Sequence, residues 1–93
     1  MLSEAPIDVK AVKKEDIDKE ILRYSIVAEF DAINVYEQMA DMTENEEVKK
    51  ILLDVAKEEK VHVGEFQTLL LKMDAEQKRG LEDGREEVEE LLE

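Results

Sequence analysis

The chain has almost nothing to interrupt a helix over most of its length. Its only proline is Pro6, and two of its three glycines lie beyond residue 79. Between about Asp16 and Arg79 the apolar residues do not alternate as they do in strands, and the strong helix breakers are nearly absent. The sequence therefore predicts an all-α fold dominated by long helices.

The predicted first helix covers residues 16–42. Thr43 and Glu46 then match a capping box, in which two side chains satisfy each other's backbone N–H groups, and they predict the start of a second helix. We expect that helix to end near Lys78, with Gly80 as its C-terminal cap. Two long helices joined by a short turn form an antiparallel hairpin.

The chain divides into three predicted segments. Residues 1–14 are expected to be a flexible tail, residues 15–79 the helical hairpin, and residues 80–93 a short C-terminal helix or linker. A single domain of this length has a marginal core of its own. Further apolar residues lie outside the main stripes and predict more than one interface, hence an assembly larger than a dimer: Val27, Phe30, Val35, Leu53, Val61, Val63 and Leu71.

The composition excludes several kinds of site and partner. With 26 acidic against 13 basic residues, the net charge of -13 argues against binding to a phosphate backbone. The absence of cysteine excludes disulfides, thiolate metal sites and thiol nucleophiles. No signal peptide and no apolar run of about 18 residues is present, so we expect a soluble cytoplasmic protein that enters no membrane.

Ionisable residues interrupt the apolar stripes of both long helices. In each stripe the steps alternate between three and four residues, which is typical of one packed face in a bundle. The first stripe contains Glu29, and the second contains Glu59 and His62. The stripes are Leu22, Ile26, Glu29, Ile33, Tyr36 and Ala40, and Val48, Leu52, Val55, Glu59, His62, Phe66, Leu69 and Met73. Since a buried unpaired carboxylate costs several kcal/mol, something must compensate these groups.

Glu29 and Glu59 are expected at the same depth in the hairpin. Glu29 precedes Glu44, the centre of the turn, by as many residues as Glu59 follows it. At 1.5 Å per residue both carboxylates lie about 22 Å from the turn. His62 lies one helical turn beyond Glu59 on the same face. The three side chains can therefore converge, and their oxygen and nitrogen ligands suit iron, manganese or zinc.

The ligand set is half of a known kind of metal site. Di-iron carboxylate bundles use a Glu from each of two helices and a Glu-x-x-His from each of the other two. This chain supplies Glu29 and one such motif, Glu59 to His62, and it has a single histidine. Two copies would supply four carboxylates, whose charge two ferrous ions would balance. The sequence thus predicts that dimerisation completes both a four-helix bundle and its metal site.

Each candidate residue also has a simpler interpretation. Glu-x-x-His arises readily by chance on an acidic helix, and a stripe histidine is more often a satisfied core residue. The matched depth of Glu29, Glu59 and His62 favours the metal. Tyr36 is either a core aromatic or a partner of a metal ligand or a redox-active phenol. Asp31 is expected on a solvated face, with the guidance of cations inward as its alternative role.

With these residues and spacings the chain resembles the encapsulated ferritins, short ferritin-like proteins housed inside encapsulin nanocompartments. The resemblance covers about residues 16–78. It rests on the spacing from Glu29 to Tyr36 and on the run Glu58-Glu59-Lys60-Val61-His62. It implies two long antiparallel helices and a short C-terminal helix, a ferroxidase centre between paired subunits, and a ring-like decamer of dimers.

Carried onto this chain, the resemblance implies a set of iron ligands. Glu29, Glu59 and His62 would hold two irons per subunit pair, with Glu59 bridging them. Tyr36 would stand beside the ligands.

The resemblance also implies a place where metal enters and a protein partner. Members of the family have acidic residues beside the first ligand where metal enters. Asp31 matches one of these, whereas Ala28 departs from the pattern. The partner would be the encapsulin shell protein, reached through a C-terminal targeting peptide or by direct fusion. Since no targeting peptide is evident before Glu93, we expect the ferritin-like part of a shell fusion.

Three functions remain open from the sequence. The first is a ferroxidase that oxidises Fe²⁺ to Fe³⁺ for storage inside the shell, with the metals carrying the redox chemistry. The second is a rubrerythrin-like di-iron peroxidase, which is disfavoured because no cysteine is available for a rubredoxin-type iron. The third is a non-enzymatic acidic oligomerisation module in which the stripe Glu and His residues pair with each other.

Overall fold

A computed structural model describes Lys10 and residues 13–93. A 3-10 turn at Lys14–Asp16 leads into three helices: α1 (Ile17–Met42), α2 (Glu46–Met73) and α3 (Ala75–Leu91). No strand occurs within these described residues. Helices α1 and α2 pack along their lengths as an antiparallel hairpin. The all-α prediction is confirmed, while residues 1–9, 11 and 12 of the predicted tail lie outside the described part.

The turn between α1 and α2 uses a different cap from the one predicted. Asn45, not Thr43, caps α2, because its side-chain oxygen accepts the backbone N–H groups of Glu47 and Val48 at 2.9 and 3.0 Å. Thr43 instead ends α1, where its N–H donates to the carbonyl of Met39 at 3.1 Å. The capping-box prediction was therefore wrong, since asparagine holds the extended backbone that an N-cap needs.

The core of the hairpin is small. Leu22, Ile33 and Ala40 are buried on α1, as the predicted stripe required, and Ala56 and Leu70 are buried on α2.

The predicted stripe of α2 only partly faces α1. Its members Val48, Leu69 and Met73 are exposed, whereas the buried Ala56 and Leu70 stand one position away from it. Because Ala56 is small, α1 can approach α2 closely along this displaced line. The outer members of the stripe are left as an open apolar surface.

The end of α2 also differs from the prediction. The helix ends at Met73, and Asp74 leaves the helical conformation with φ -134° and ψ 88°. A new helix begins at once and continues through Gly80 and Gly84, neither of which has a positive φ. The expected end near Lys78 and the glycine cap were therefore wrong, whereas the predicted C-terminal helix is present but begins earlier, at Ala75. The signal was Asp74 followed by Gln77, a pattern that starts a helix.

Helix α3 points away from the hairpin and buries none of its residues. The described chain is accordingly a flat L, with extents of 46 × 44 × 20 Å. Many large apolar side chains remain exposed along all three helices, and they include Phe30, Ile51, Val61, Val88, Leu91 and Leu92. No helix in the described part has the length and apolar content needed to cross a membrane.

Candidate metal centre

Glu29 of α1 meets Glu59 and His62 of α2 midway along the hairpin. One ligand atom from each residue lies within 4.8 Å of the other two, and the group is partly buried. The antiparallel packing places these side chains together because the two glutamates stand equally far from the turn. His62 follows Glu59 by one helical turn and so projects from the same side of α2.

The imidazole of His62 faces both carboxylates through one nitrogen. Its Nδ1 lies 3.3 Å from Glu59 Oε2 and 3.4 Å from Glu29 Oε2. The contact with Glu59 has hydrogen-bond geometry. The contact with Glu29 is close enough for an ion pair, but its geometry is not that of a hydrogen bond. Nδ1 can donate only one proton, so it does not satisfy both acids.

Glu29 consequently carries an unsatisfied atom. Its Oε2 is the buried side-chain oxygen or nitrogen in the described part of the chain that lacks a hydrogen-bond partner. The Glu29 and Glu59 side chains are only 19% and 18% exposed. Leaving a buried acceptor without a partner is costly, and native proteins rarely do so without a reason. A bound cation would remove this deficit, so the donor set fits iron.

The site opens toward solvent on the side of the histidine. The His62 side chain is 44% exposed, more than twice as much as either carboxylate. It shares its stripe with the exposed apolar residues Val48, Leu69 and Met73. The two acids are therefore held inside the hairpin, while the imidazole stands at the edge of an uncovered apolar surface.

The lysine inside the Glu-x-x-His motif does not compete for the site. Lys60 donates from Nζ to Glu37 Oε2 at 3.0 Å on an exposed edge of the hairpin. Its positive charge is thus engaged away from Glu29 and Glu59. The two carboxylates retain their capacity to bind a cation.

Two further predicted residues lie outside the three-residue group. Tyr36 is partly buried on α1, two turns from Glu29. Asp31 is buried, at 6% exposure, so the expectation of a solvated face was wrong. Neither residue joins the metal-competent group among the described residues. The sequence found all three members of that group, because depth in a hairpin needs only the helical rise and the position of the turn.

Known proteins are similar to this chain in sequence and in fold. The chain matches the rubrerythrin family model over residues 20–93, most of its length. The chain belongs to the rubrerythrin family. A crystal structure of an encapsulated ferritin domain from Pyrococcus furiosus superimposes with a TM-score of 0.83 at 53% identity, covering 98% of this chain and 93% of that one. The ferritin-like fold and the resemblance to encapsulated ferritins are thereby confirmed.

Two curated relatives match at the level of sequence. A ferritin-like–encapsulin shell fusion protein of Pyrococcus furiosus is 61% identical over 82 residues, which are 88% of this chain and 24% of that protein. An encapsulin nanocompartment cargo protein of Myxococcus xanthus is 45% identical over 56 residues, 60% of this chain and 43% of that protein. The chain thus spans about a quarter of one relative and under half of the other.

Proposed function

We propose that this rubrerythrin-family chain is a ferroxidase that binds Fe²⁺ at Glu29, Glu59 and His62 and oxidises it to Fe³⁺. One observation carries the proposal: three ligand atoms lie within 4.8 Å of one another around a buried carboxylate oxygen that lacks a hydrogen-bond partner. Two carboxylates and an imidazole suit iron better than they suit the harder Mg²⁺ or Ca²⁺.

The charges of the site favour the oxidised product. Fe²⁺ is the substrate, and each ion gives one electron to an oxidant, dioxygen or peroxide. Glu29 and Glu59, both largely shielded from water, attract a triply charged ion more strongly than a doubly charged one. The carboxylates thus bind the substrate and also lower the free energy of its oxidation. His62 binds through the nitrogen that faces them.

A second copy of the chain would complete the site. One chain offers three ligand atoms, and the partly exposed His62 belongs to an uncovered apolar stripe. Pairing two such stripes makes a four-helix bundle with four carboxylates and two imidazoles, the ligand set of di-iron bundles. Two Fe²⁺ ions would neutralise that charge. Tyr36 would stand next to the ligands, and Asp31 would lie on the path by which metal enters.

The names of the relatives support a partner and a place of action. One relative is a fusion to an encapsulin shell and the other is a cargo protein of an encapsulin nanocompartment. A flat hairpin encloses no volume in which a mineral could grow. We therefore place the chain inside an encapsulin shell in the cytoplasm, where the shell stores the iron. A decameric ring of dimers is the proposed assembly, which native mass spectrometry measures directly.

Iron oxidation by ligand variants tests the proposal. Glu59→Ala and His62→Ala should oxidise Fe²⁺ at least about tenfold more slowly than wild type, since loss of even a supporting residue of a metal site costs that much. Glu58→Ala is the matched control, because Glu58 is the exposed neighbour of Glu59. Native mass spectrometry of each variant shows whether assembly survives. If both assembled variants oxidise Fe²⁺ at the wild-type rate, the proposal is wrong.

One contact favours a non-enzymatic alternative. The His62 Nδ1 lies within ion-pair distance of both Glu29 and Glu59, so the three groups can compensate one another in an oligomerisation module. Metal analysis after incubation with Fe²⁺ separates the two functions. An oligomer that stays free of metal supports the module, whereas uptake of about two irons per subunit pair supports the ferroxidase. Repeating the assay with peroxide distinguishes a peroxidase.

A further inference from the structure

The joint between α2 and α3 consists of a single residue. Asp74 ends one helix and caps the next, with φ -134° and ψ 88°. Beyond its first two turns α3 packs against nothing else in the described chain, and all of its residues from Leu81 onward are exposed. The direction of α3, a helix of 17 residues, therefore depends on the backbone conformation and the side-chain bonds of Asp74.

The carboxylate of Asp74 makes two bonds with different consequences. Its Oδ1 accepts the backbone N–H of Gln77 at 3.0 Å, which caps α3. Its Oδ2 accepts from Arg23 Nη2 of α1, also at 3.0 Å. The cap bond moves with α3 and cannot fix its angle. The bond from Arg23 crosses to the hairpin and can fix it.

The environment of this ion pair strengthens it. The Asp74 side chain is only 13% exposed, although that of Arg23 is 50% exposed. Charge-assisted hydrogen bonds are stronger than neutral ones, and partial shielding from water increases the effect. Lys19, one turn before Arg23, adds a second positive charge near the carboxylate.

A shallow groove lies beside the pair where the three helices meet. It has a volume of about 210 Å³ and is lined by Arg23, Ile26, Leu70 and Leu71 of the hairpin and by Gln77 and Leu81 of α3, among others. Leu81 remains 43% exposed, so the apolar contact of α3 with the hairpin is loose. Loose contact at one end leaves the angle of α3 weakly determined by packing.

We propose that the Arg23–Asp74 ion pair is a conformational lock that holds α3 at a fixed angle to the hairpin. It ties the N-terminal half of α1 to the first residue before α3. Because α3 is an arm about 25 Å long, a small rotation at the joint moves its far end by many ångströms. The lock therefore decides where the exposed apolar residues Val88, Leu91 and Leu92 are presented.

The lock can be tested in the full chain by measuring a distance between two labels. Since the chain has no cysteine, Lys57→Cys on α2 and Glu87→Cys on α3 place two spin labels at exposed positions. An excess of unlabelled protein suppresses distances between copies. Arg23→Ala removes the donor. Asp74→Asn removes the charge but keeps a preferred capping residue. Arg85→Ala is the matched control, because it breaks an arginine ion pair of equal length within α3.

The lock predicts one pattern among these variants. Wild type and Arg85→Ala should give a single narrow distance, and Arg23→Ala and Asp74→Asn should both lose it while circular dichroism shows unchanged helix content. Arg23→Lys, which keeps a positive charge, should recover part of the narrow distance. A narrow wild-type distance in both Arg23→Ala and Asp74→Asn overturns the proposal, since the groove alone would then fix α3. Broadening in Asp74→Asn alone overturns it as well, since the cap would then be the cause.

Discussion

Replacing Glu29 by glutamine should stabilise the metal-free protein and weaken its response to iron. The substitution keeps the shape of the side chain and removes one of two neighbouring negative charges. In the metal-free chain this charge has no hydrogen-bond partner for its buried oxygen. Function and stability therefore make opposite demands on the same atom.

The size of the effect follows from the distance between the carboxylates. Their ligand atoms lie within 4.8 Å of each other. Two unit charges at that distance repel by about 1 kcal/mol in water and by about 3.5 kcal/mol at an effective dielectric constant of 20. Since each side chain keeps about a fifth of its exposure and His62 offsets part of the repulsion, we expect a gain of about 1 kcal/mol. For a domain of this size that gain raises the melting temperature by roughly 4–8 °C.

Thermal unfolding with chelator and with anaerobic Fe²⁺ measures both parts of the prediction at one protein concentration. With chelator, Glu29→Gln should melt above wild type. With free iron at about a hundred times its dissociation constant, wild type should gain about 2.7 kcal/mol and overtake the variant. Glu58→Gln, at the exposed neighbouring position, should follow wild type under both conditions. A variant that melts lower without metal, or gains as much from iron as wild type, refutes the reasoning.

Three further predictions concern the hairpin and its joint. Leu70→Ala should cost about 2–5 kcal/mol in urea unfolding because Leu70 is buried, whereas Leu53→Ala at an exposed site should cost under about 1 kcal/mol in the monomer. Asn45→Ala should cost about 1 kcal/mol of unfolding free energy because the side chain that caps α2 is lost. An equal loss in Asn45→Val would contradict a role for the extended backbone at residue 45. The backbone N–H of Gln77 is the main cause that lowers the pKa of Asp74 below 3.8. Its ionised form therefore adds stability above that pH, and acid titration should remove this part as the pH falls through the lowered pKa, except in Asp74→Asn.

The sequence could predict the metal-competent group because the depth of a residue in a hairpin depends only on its distance from the turn along the chain. Equal spacing of Glu29 and Glu59 about the turn places both at one depth, whatever the side chains between them do. The orientation of α2 could not be predicted in the same way. Its apolar residues extend around more than one face, so periodicity alone does not say which of them α1 covers. Ala56 lies in the face of α2 that α1 covers because its small side chain permits close contact between the two helices.

The joint at Asp74 escaped prediction for a different reason. A break of one residue does not disturb the periodicity of the residues on either side, and Gly80 and Gly84 are stronger apparent signals. Both glycines nevertheless lie inside α3, which tolerates them at about 1 kcal/mol each. Helix α3 starts where the side chain of Asp74 accepts the backbone N–H of Gln77. The position of its first residue therefore depends on this local hydrogen bond more than on the helix propensity of the whole segment.

The proposed dimer would both enlarge the small hydrophobic core and complete the metal site. Val48, Leu69 and Met73, which belong to the same stripe of α2 as His62, are each roughly half exposed, so covering one gains about 1 kcal/mol. These three side chains from two copies gain about 6 kcal/mol, near the low end of the 4–15 kcal/mol that association costs. Burial of the stripe alone would leave the dimer only marginally stable. The four carboxylates that the dimer brings together would weaken it further by repelling one another. In the proposed dimer, iron shared between the copies would supply the missing binding free energy, so iron binding and dimerisation should each strengthen the other by the same factor.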